Sequence, residues 1–182
     1  ESTTYDCGYN ISCNGLNDGS ASVSVAGGCL PYEYVWSNGD TTSLADSLTA
    51  GTYTVTVSDA NGSSVVGNIT LTEPDPLAVD TLDSPTYNGG WNVSCNGASD
   101  GSINLGVSGG ATCFPYTYIW TGDNGFTGFG QDQTGLEAGT YYVEVSDANG
   151  CITTDSIILT QPDSLSAEII DTTMVSCMGN SD

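Results

Sequence analysis

The sequence repeats itself, and this repetition constrains the fold more than any other feature of the chain. Cys13-Asn-Gly-Leu-Asn-Asp-Gly-Ser20 returns as Cys95-Asn-Gly-Ala-Ser-Asp-Gly-Ser102, and Cys177-Met-Gly-Asn-Ser-Asp182 begins a third copy. The step from Cys13 to Cys95 equals the step from Cys95 to Cys177, 82 residues each. A domain therefore has to form within about 80 residues and recur along the chain.

Proline-containing segments mark the boundaries between the copies. Glu73-Pro-Asp-Pro-Leu77 and Gln161-Pro-Asp-Ser-Leu165 occupy the same place in successive copies, and proline stiffens such linkers by fixing φ. We therefore expect a first β-sandwich repeat over residues 1–75, a second over 76–163, and the truncated start of a third over 164–182.

Short segments rich in Val, Tyr and Thr alternate with Gly, Pro and Asn-Gly turn signals, a pattern typical of antiparallel strands. The sequence predicts an all-β fold of tandem Ig-like or PKD-like Greek-key sandwiches in an extended rod. Trp36 and Trp120 are predicted to be core residues. Tyr53 and Tyr141 follow Leu-x-Ala-Gly-Thr and are predicted to form tyrosine corners, with each hydroxyl bonded to upstream backbone.

The charge composition excludes several classes of function. The 182 residues include 22 Asp and Glu but no Lys, Arg or His, giving a formal net charge of −22. The chain has no Lys or Arg side chain to bind phosphate groups. It also has no histidine imidazole, which Ser-His-Asp and Cys-His catalysis require. We expect no enzyme, no nucleic-acid partner and no direct membrane insertion. The 38% hydrophobic content indicates a folded chain.

The ordered landmarks of both copies resemble the SprB-repeat family of very large cell-surface adhesins in gliding Bacteroidetes. They are Cys-Asn-Gly-x-x-Asp-Gly-Ser, then Pro-Tyr-x-Tyr-x-Trp, then Leu-x-Ala-Gly-Thr-Tyr and Asp-Ala-Asn-Gly. The resemblance implies type 9 secretion, attachment to the outer cell surface and adhesion to a substratum. One position departs from the pattern, because Ser63 stands where the second copy has Cys151.

The seven cysteines also favour an oxidising, extracellular compartment. Repeat symmetry predicts the disulfides Cys13–Cys29 and Cys95–Cys113, which leaves Cys151 for Cys177. Loop geometry offers an alternative, because the loops of Cys113 and Cys151 should meet at one end of a sandwich. We favour the symmetric pairing, under which Cys7 would find a partner upstream or have none.

Acidic turns make calcium the candidate cation, because its ligands are carboxylate and carbonyl oxygens. Calcium at the module junctions would rigidify the chain. The alternative is that these Asp and Asn side chains only bond their own backbone in turns. The candidate ligands are Asp18, Asp59, Asn61, Asp100, Asp147 and Asn149.

Two kinds of glycosylation are also expected. Asp-Ser or Asp-Thr followed by an apolar residue or Thr looks like the O-glycan acceptor of Bacteroidetes. The notable candidates are Thr41, Ser47, Thr81, Ser156, Ser164 and Thr172. N-glycosylation is the rival hypothesis, at the Asn-x-Ser/Thr positions Asn10, Asn61, Asn68 and Asn92.

Two functions remain open. The first is a structural and adhesive segment of a long secreted cell-surface filament, serving attachment or gliding motility. Its partners would be neighbouring repeats, an external surface or glycans, and it could assemble into filaments. The second is a carbohydrate-binding module in which solvent-facing tyrosines stack on sugar rings. The candidate tyrosines are Tyr32, Tyr34, Tyr116 and Tyr118.

Overall fold

The computed structural model describes residues 1–170 and contains twelve β-strands and one short 3-10 helix in that range. The helix spans Asp6–Gly8, so no described helix is long enough to cross a membrane. Strands β1 to β5 form a first module and β6 to β12 a second. The first-module strands are β1 Gly19–Ser22, β2 Glu33–Trp36, β3 Leu44–Leu48, β4 Gly51–Ser58 and β5 Ser64–Leu71. The second-module strands are β6 Ala78–Asp83, β7 Gly101–Ser108, β8 Thr117–Gly122, β9 Thr127–Gly128, β10 Gln133–Leu136, β11 Gly139–Ser146 and β12 Ile152–Leu159.

The second module is a sandwich of two antiparallel sheets. One sheet has the order β10-β7-β6 and the other β12-β11-β8-β9. The chain therefore alternates between sheets in the Greek-key order of an Ig-like domain, with its first, second and fifth strands opposite the remaining four. This strand order confirms the predicted all-β, Ig-like fold class.

The first module has the same plan with fewer strands. Its sheets have the orders β1-β3 and β2-β4-β5. The place that β6 takes in the second module is held here by the chain start, which reaches β1 through a single bridge between Ser2 and Ala21. The two modules are therefore variants of one sandwich.

Each module encloses its own hydrophobic core, because alternate residues of each strand point inward. Val55 and Val57 of β4 are buried in the first core, as Val143 and Val145 of β11 are in the second. The two predicted core tryptophans lie at the centres, with Trp36 4% and Trp120 0% exposed. Each indole N–H donates to a loop carbonyl, that of Thr42 or of Gly130, at 2.9 Å.

The two predicted corner tyrosines each fasten a loop to its module. The Tyr53 hydroxyl donates to the carbonyl of Thr49 at 3.0 Å, and the Tyr141 hydroxyl donates to that of Glu137 at 2.8 Å. In both cases the acceptor lies four residues upstream, on the loop leading into the strand. This is the hydrogen bond that defines a tyrosine corner.

Most of the expected third repeat lies outside residues 1–170. Residues 161–170 follow β12 without regular secondary structure. The remainder of that repeat, including Cys177 and the candidate acceptor Thr172, lies outside the described residues.

Candidate functional site at the module junction

The two modules meet through a loop of the first and two loops of the second. The lower loop of the first module, residues 5–18, precedes β1. The upper end of the second module consists of residues 109–113 and 147–151, which precede β8 and β12. Four of the seven cysteines lie in these segments, so the reactive side chains of the protein are concentrated at the junction.

The lower loop is held by hydrogen bonds to the end of its own module. The backbone N–H groups of Asn10 and Ile11 both donate to the Thr72 carbonyl, at 2.9 and 3.1 Å. The Asn14 side chain donates to the Pro74 carbonyl at 3.0 Å, and the Gly15 N–H donates to the Glu73 carboxylate at 2.6 Å. The Cys-Asn-Gly sequence is thereby fixed beside the chain that leads into the second module.

The Asp18 carboxylate links two parts of the lower loop by hydrogen bonds. Its carboxylate accepts the backbone N–H of Ser12 at 3.1 Å and also bonds the Ser12 hydroxyl. Desolvation raises the pKa of Asp18, but the Ser12 side-chain and backbone hydrogen bonds outweigh it and leave the pKa below its ordinary value. Asp100 bonds Ser94 in the same way in the second module, and the Ser94 side chain and backbone lower its pKa.

The upper end of the second module is organised by one buried carboxylate, that of Asp147. It accepts backbone N–H groups from Ala111 at 2.7 Å and from Asn149 and Cys151 at 2.9 Å each. This binds the loop before β8 to the turn before β12 and brings Cys113 and Cys151 to the same end of the module.

Asp59 builds the same turn in the first module. Its carboxylate accepts the N–H groups of Cys29 at 3.1 Å and of Asn61 and Ser63 at 2.9 Å each. The backbone N–H of Ser63, and then that of Cys29, lower the pKa of Asp59 because they stabilise its charged form.

Two disulfides join the lower loop of the first module to the upper end of the second. Cys7 is bonded to Cys113 and Cys13 to Cys151, with Cα–Cα distances of 5.3 and 5.7 Å. Both distances fall in the usual range for disulfides. The junction between the modules is therefore covalently closed at two points.

Non-covalent contacts support the bridges. The Asn149 side-chain amide donates to the Ser12 carbonyl at 2.8 Å, directly beside Cys13. Leu16 and Ile152 line a groove between the modules together with Pro76 and Leu77 of the linker. Gly109 has φ +77° at the point where the linker passes, and a Cβ there would lie 1.9 Å from the Pro76 carbonyl oxygen. The close approach of linker and loop requires glycine.

The predicted disulfide pairing is wrong. Cys13–Cys29, Cys95–Cys113 and Cys151–Cys177 are replaced by the two bridges between modules, and Cys29 and Cys95 are free and exposed. The alternative pairing of Cys113 with Cys151 fails too, although both residues do lie at one end of the module. The physical reason is that Cys13 and Cys29 lie at opposite ends of one module, separated by a strand and its extensions. A cysteine at the lower end instead meets the upper end of the following module.

The candidate calcium ligands are dispersed over turns. The carboxylates of Asp18, Asp59, Asp100 and Asp147 each accept backbone N–H groups. Residues 1–170 contain no group of three or more Asp, Glu, His or Cys side chains placed to hold a metal ion. The turn alternative accounts for these contacts, and calcium binding stays a prediction without an acidic cluster to support it.

The candidate glycosylation sites differ in accessibility. The described O-linked candidates, Thr41, Ser47, Thr81, Ser156 and Ser164, are all exposed, as are Asn61 and Asn68. Asn10 and Asn92 instead use both ends of their side-chain amides. Each donates to a carbonyl of the chain before it and accepts the N–H of Thr72 or Thr160. Residues 87–100, which precede β7, are the lower loop of the second module. Asn10 and Asn92 are therefore structural members of the two lower loops.

The tyrosines predicted as a sugar platform face inward. Tyr32 and Tyr34 pack against the first core, and Tyr116 and Tyr118 against the second. They share the inner strand face with the tryptophans, because the spacing between them is two residues. Tyr142 was not among the predicted candidates; this residue is 47% exposed on the outer face of the second module beside Ile119 and Glu144. Its strand position, one residue after the corner tyrosine, was the available signal.

Comparison with known protein families found a match at two segments of the chain. The SprB repeat family model matches residues 9–41 and 92–125. Each matched segment begins in or beside a lower loop and extends past the core tryptophan. The match confirms the resemblance at both segments. No curated protein sequence matches the chain.

Solved structures resemble the chain only distantly. The amphioxus IgVJ-C2 molecule is 16% identical with a TM-score of 0.39, over 78% of this chain and 95% of that one. The C-terminal 282-residue fragment of intimin, in complex with the intimin-binding domain of the translocated intimin receptor, is 19% identical with a TM-score of 0.40. This alignment covers 79% of the present chain and 57% of the fragment's chain. The fold assignment rests on the strand order above and not on these scores.

Proposed function

We propose that this chain is a tension-bearing segment of a long secreted cell-surface filament or adhesin that serves attachment. The observation behind the proposal is the bridge between Cys13 and Cys151, which links the bottom of one SprB-type module to the top of the next. Disulfides persist in extracellular surroundings, which agrees with an exported protein. Gliding motility would be one use of such a filament.

The bridge shortens the covalent path along which tension passes. That path consists of the residues up to Cys13, the disulfide, and the residues from Cys151 onward. The intervening chain, which holds nearly all of both cores, forms a closed loop outside the path. Pulling on the ends therefore cannot extend the modules fully, even if they unfold.

Single-molecule pulling between residues 1 and 170 tests this property. At roughly 3.5 Å per residue, the oxidised chain should extend to about 120 Å, whereas an unbridged chain would reach about 600 Å. The double variant Cys13→Ser, Cys151→Ser is the matched control, because Cys7–Cys113 remains and the path lengthens to about 230 Å. Extension of the oxidised wild type to the unbridged length would contradict the proposal.

Attachment and export need separate measurements. Beads coated with the oxidised protein should remain on a substratum under flow longer than beads coated with the double variant at equal density. Equal retention would remove the link between bridges and adhesion. Mass spectrometry of natively purified protein, without reduction, should find both bridges closed and report which exposed Ser and Thr residues carry hexose.

Carbohydrate binding is a second candidate, and Tyr142 is the observation in its favour. This exposed ring lies in a shallow groove with Thr121, Glu144, Thr154 and Ser156, which supply polar groups next to an aromatic face. Loss of glycan binding in Tyr142→Ala but not in Tyr118→Phe would support it. A wild-type protein inert to a broad glycan set would exclude it.

A further inference from the structure

The lower loop of the second module repeats the hydrogen bonds that hold the lower loop of the first module to the end of its own module. The N–H groups of Asn92 and Val93 donate to the Thr160 carbonyl at 3.0 Å, as those of Asn10 and Ile11 donate to Thr72. The Asn96 amide donates to the Pro162 carbonyl at 3.1 Å, and Gly97 N–H donates to the Gln161 side chain at 2.8 Å. The loop is folded for docking just as its counterpart is.

Cys95 occupies the position of Cys13 in this framework. Cys13 is bonded to the next module, whereas the Cys95 thiol is free and exposed. At the junction, the equivalent surface around Cys13 is bound to the upper end of the next module. This contact indicates that the surface around Cys95 also binds the upper end of a repeat module.

The upper end of the first module, residues 27–29 and 59–63, likewise reproduces that of the second. Asp59 accepts the same three backbone N–H groups as Asp147. Gly27 has φ +83°, near the +77° of its counterpart Gly109, but nothing in the described chain lies within 4 Å of the position of its Cβ. This end therefore retains the geometry of the junction, and none of residues 1–170 occupies the place that the linker takes beside Gly109.

The two upper ends differ in where the cysteine lies. Cys29 takes the backbone position of Ala111, since both donate N–H to the turn aspartate, while Ser63 replaces Cys151. The Asn61 amide donates to the Cys29 sulfur at 2.9 Å. Its counterpart Asn149 gives that hydrogen bond to Ser12 of the docked loop. In the junction, this amide bonds the residue just before the cysteine of the docked Cys-Asn-Gly loop. The Cys29 thiol therefore lies next to the place that such a cysteine would take if a loop docked on the first module.

We infer that the upper end of the first module is a docking site for the Cys-Asn-Gly loop of another repeat module, closed by a disulfide from Cys29. The second module of another copy of this chain, through Cys95, has the matching loop. The contact is head to tail, so the same two surfaces can continue it from copy to copy. The two thiols lose two protons and two electrons as the S–S bond forms. A low-molecular-weight disulfide takes them up and is reduced to two thiols.

The test is oxidation of the intact protein by glutathione disulfide, followed by peptide mapping without reduction. Cys177→Ser is included throughout, so that Cys29 and Cys95 are the free thiols compared, and added salt screens the repulsion between the acidic chains. We expect covalent oligomers whose linkages are Cys29–Cys95. Comparable amounts of Cys29–Cys29 and Cys95–Cys95 linkages would overturn the inference, as would the absence of oligomers.

Two variants separate docking from simple thiol exposure. In Asn61→Ala both thiols remain but the docking hydrogen bond is lost, so the initial rate of Cys29–Cys95 formation should fall about fivefold. In Cys29→Ser with Ser37→Cys, an exposed thiol is moved to the opposite end of the same module, and linkage to Cys95 should disappear. An unchanged rate in the first variant, or efficient linkage in the second, would contradict docking. The pulling experiment uses single chains, so its outcome is independent of this one.

Discussion

The two modules share one set of landmarks, yet they bury the same corner tyrosine to different extents. In the first module, the chain turns back directly after Trp36, and the Asp40 carbonyl accepts the Trp36 N–H at 2.9 Å. In the second, the chain continues after Trp120 into the longer β8–β9 hairpin. That hairpin places Phe126 edge-on to Tyr141 at 5.4 Å between ring centroids. Tyr141 is 1% exposed, whereas Tyr53 is only half-buried.

The comparison teaches that the environment of a motif is decided by loops distant from it in sequence. The corner sequence Leu-x-Ala-Gly-Thr-Tyr is the same in both copies, and the hydroxyl bond is the same. The insertion in the second module adds a strand and an aromatic cover. We therefore expect the second module to be the more stable, and the following predictions test that ranking by hydrogen exchange of β4 and β11, which reports each module separately.

The largest effect is expected from removing the core tryptophans. Trp36→Ala and Trp120→Ala should each destabilise their own module by about 3–5 kcal/mol, because a large cavity replaces a buried ring. The fully buried Trp120 should lie at the upper end of that range. A larger loss for Trp36 would contradict the expectation that the more deeply buried tryptophan contributes more.

Phe126→Ala should cost the second module about 1–2 kcal/mol, because the edge-on ring contact and part of the cover over Tyr141 disappear. Faster exchange should be confined to β11 and β8. The first module has no counterpart of this hairpin, so exchange in β4 serves as the internal control. Equal acceleration in both modules would mean that the insertion is not the source of the difference.

Removing the corner hydroxyls should have a smaller effect. Tyr141→Phe leaves the Glu137 carbonyl without its donor in a partly buried place and should cost about 1–2 kcal/mol. Tyr53→Phe should cost less than about 1 kcal/mol, because water can reach the Thr49 carbonyl. Thermal unfolding of the two variants measures the difference, and equal shifts would argue against burial as its cause.

The smallest effect is the acid sensitivity of the Asp59 turn. Because the folded-state pKa of Asp59 lies below the ordinary 3.8, its stabilisation is fully present above that value and is lost as pH falls through the lowered pKa. Protonation of other carboxylates relieves repulsion and acts in the opposite direction. Asp59→Asn should therefore lose acid sensitivity relative to wild type in β4 exchange. Parallel pH profiles for both proteins would contradict this role.

Local sequence was enough to predict the strands, the core tryptophans and the tyrosine corners. Alternation specifies which face of a strand is buried, and the corner bond spans only four residues. The same alternation, applied consistently, would have placed Tyr34 and Tyr118 beside the tryptophans on the inner face. The sugar-platform hypothesis failed because it treated those positions as free to face solvent.

The junction could not be predicted in this way. Its bridges join residues 106 and 138 positions apart, and repeat symmetry suggested pairs within one module. The sequence contained one relevant signal, since Ser63 and Cys151 break the symmetry at the turn that faces a neighbouring module. Reading that signal required knowing which loops share an end of the sandwich.

The sequence by itself determined a repeating, acidic, all-β chain whose modules have their own cores, because burial patterns and turns are encoded over short spans. Only the tertiary structure decided which cysteines meet. A strand carries the chain from one end of a module to the other, so Cys13 is held apart from Cys29 and Cys95 from Cys113. The lower end of one module is brought against the upper end of the next, and the disulfides form there.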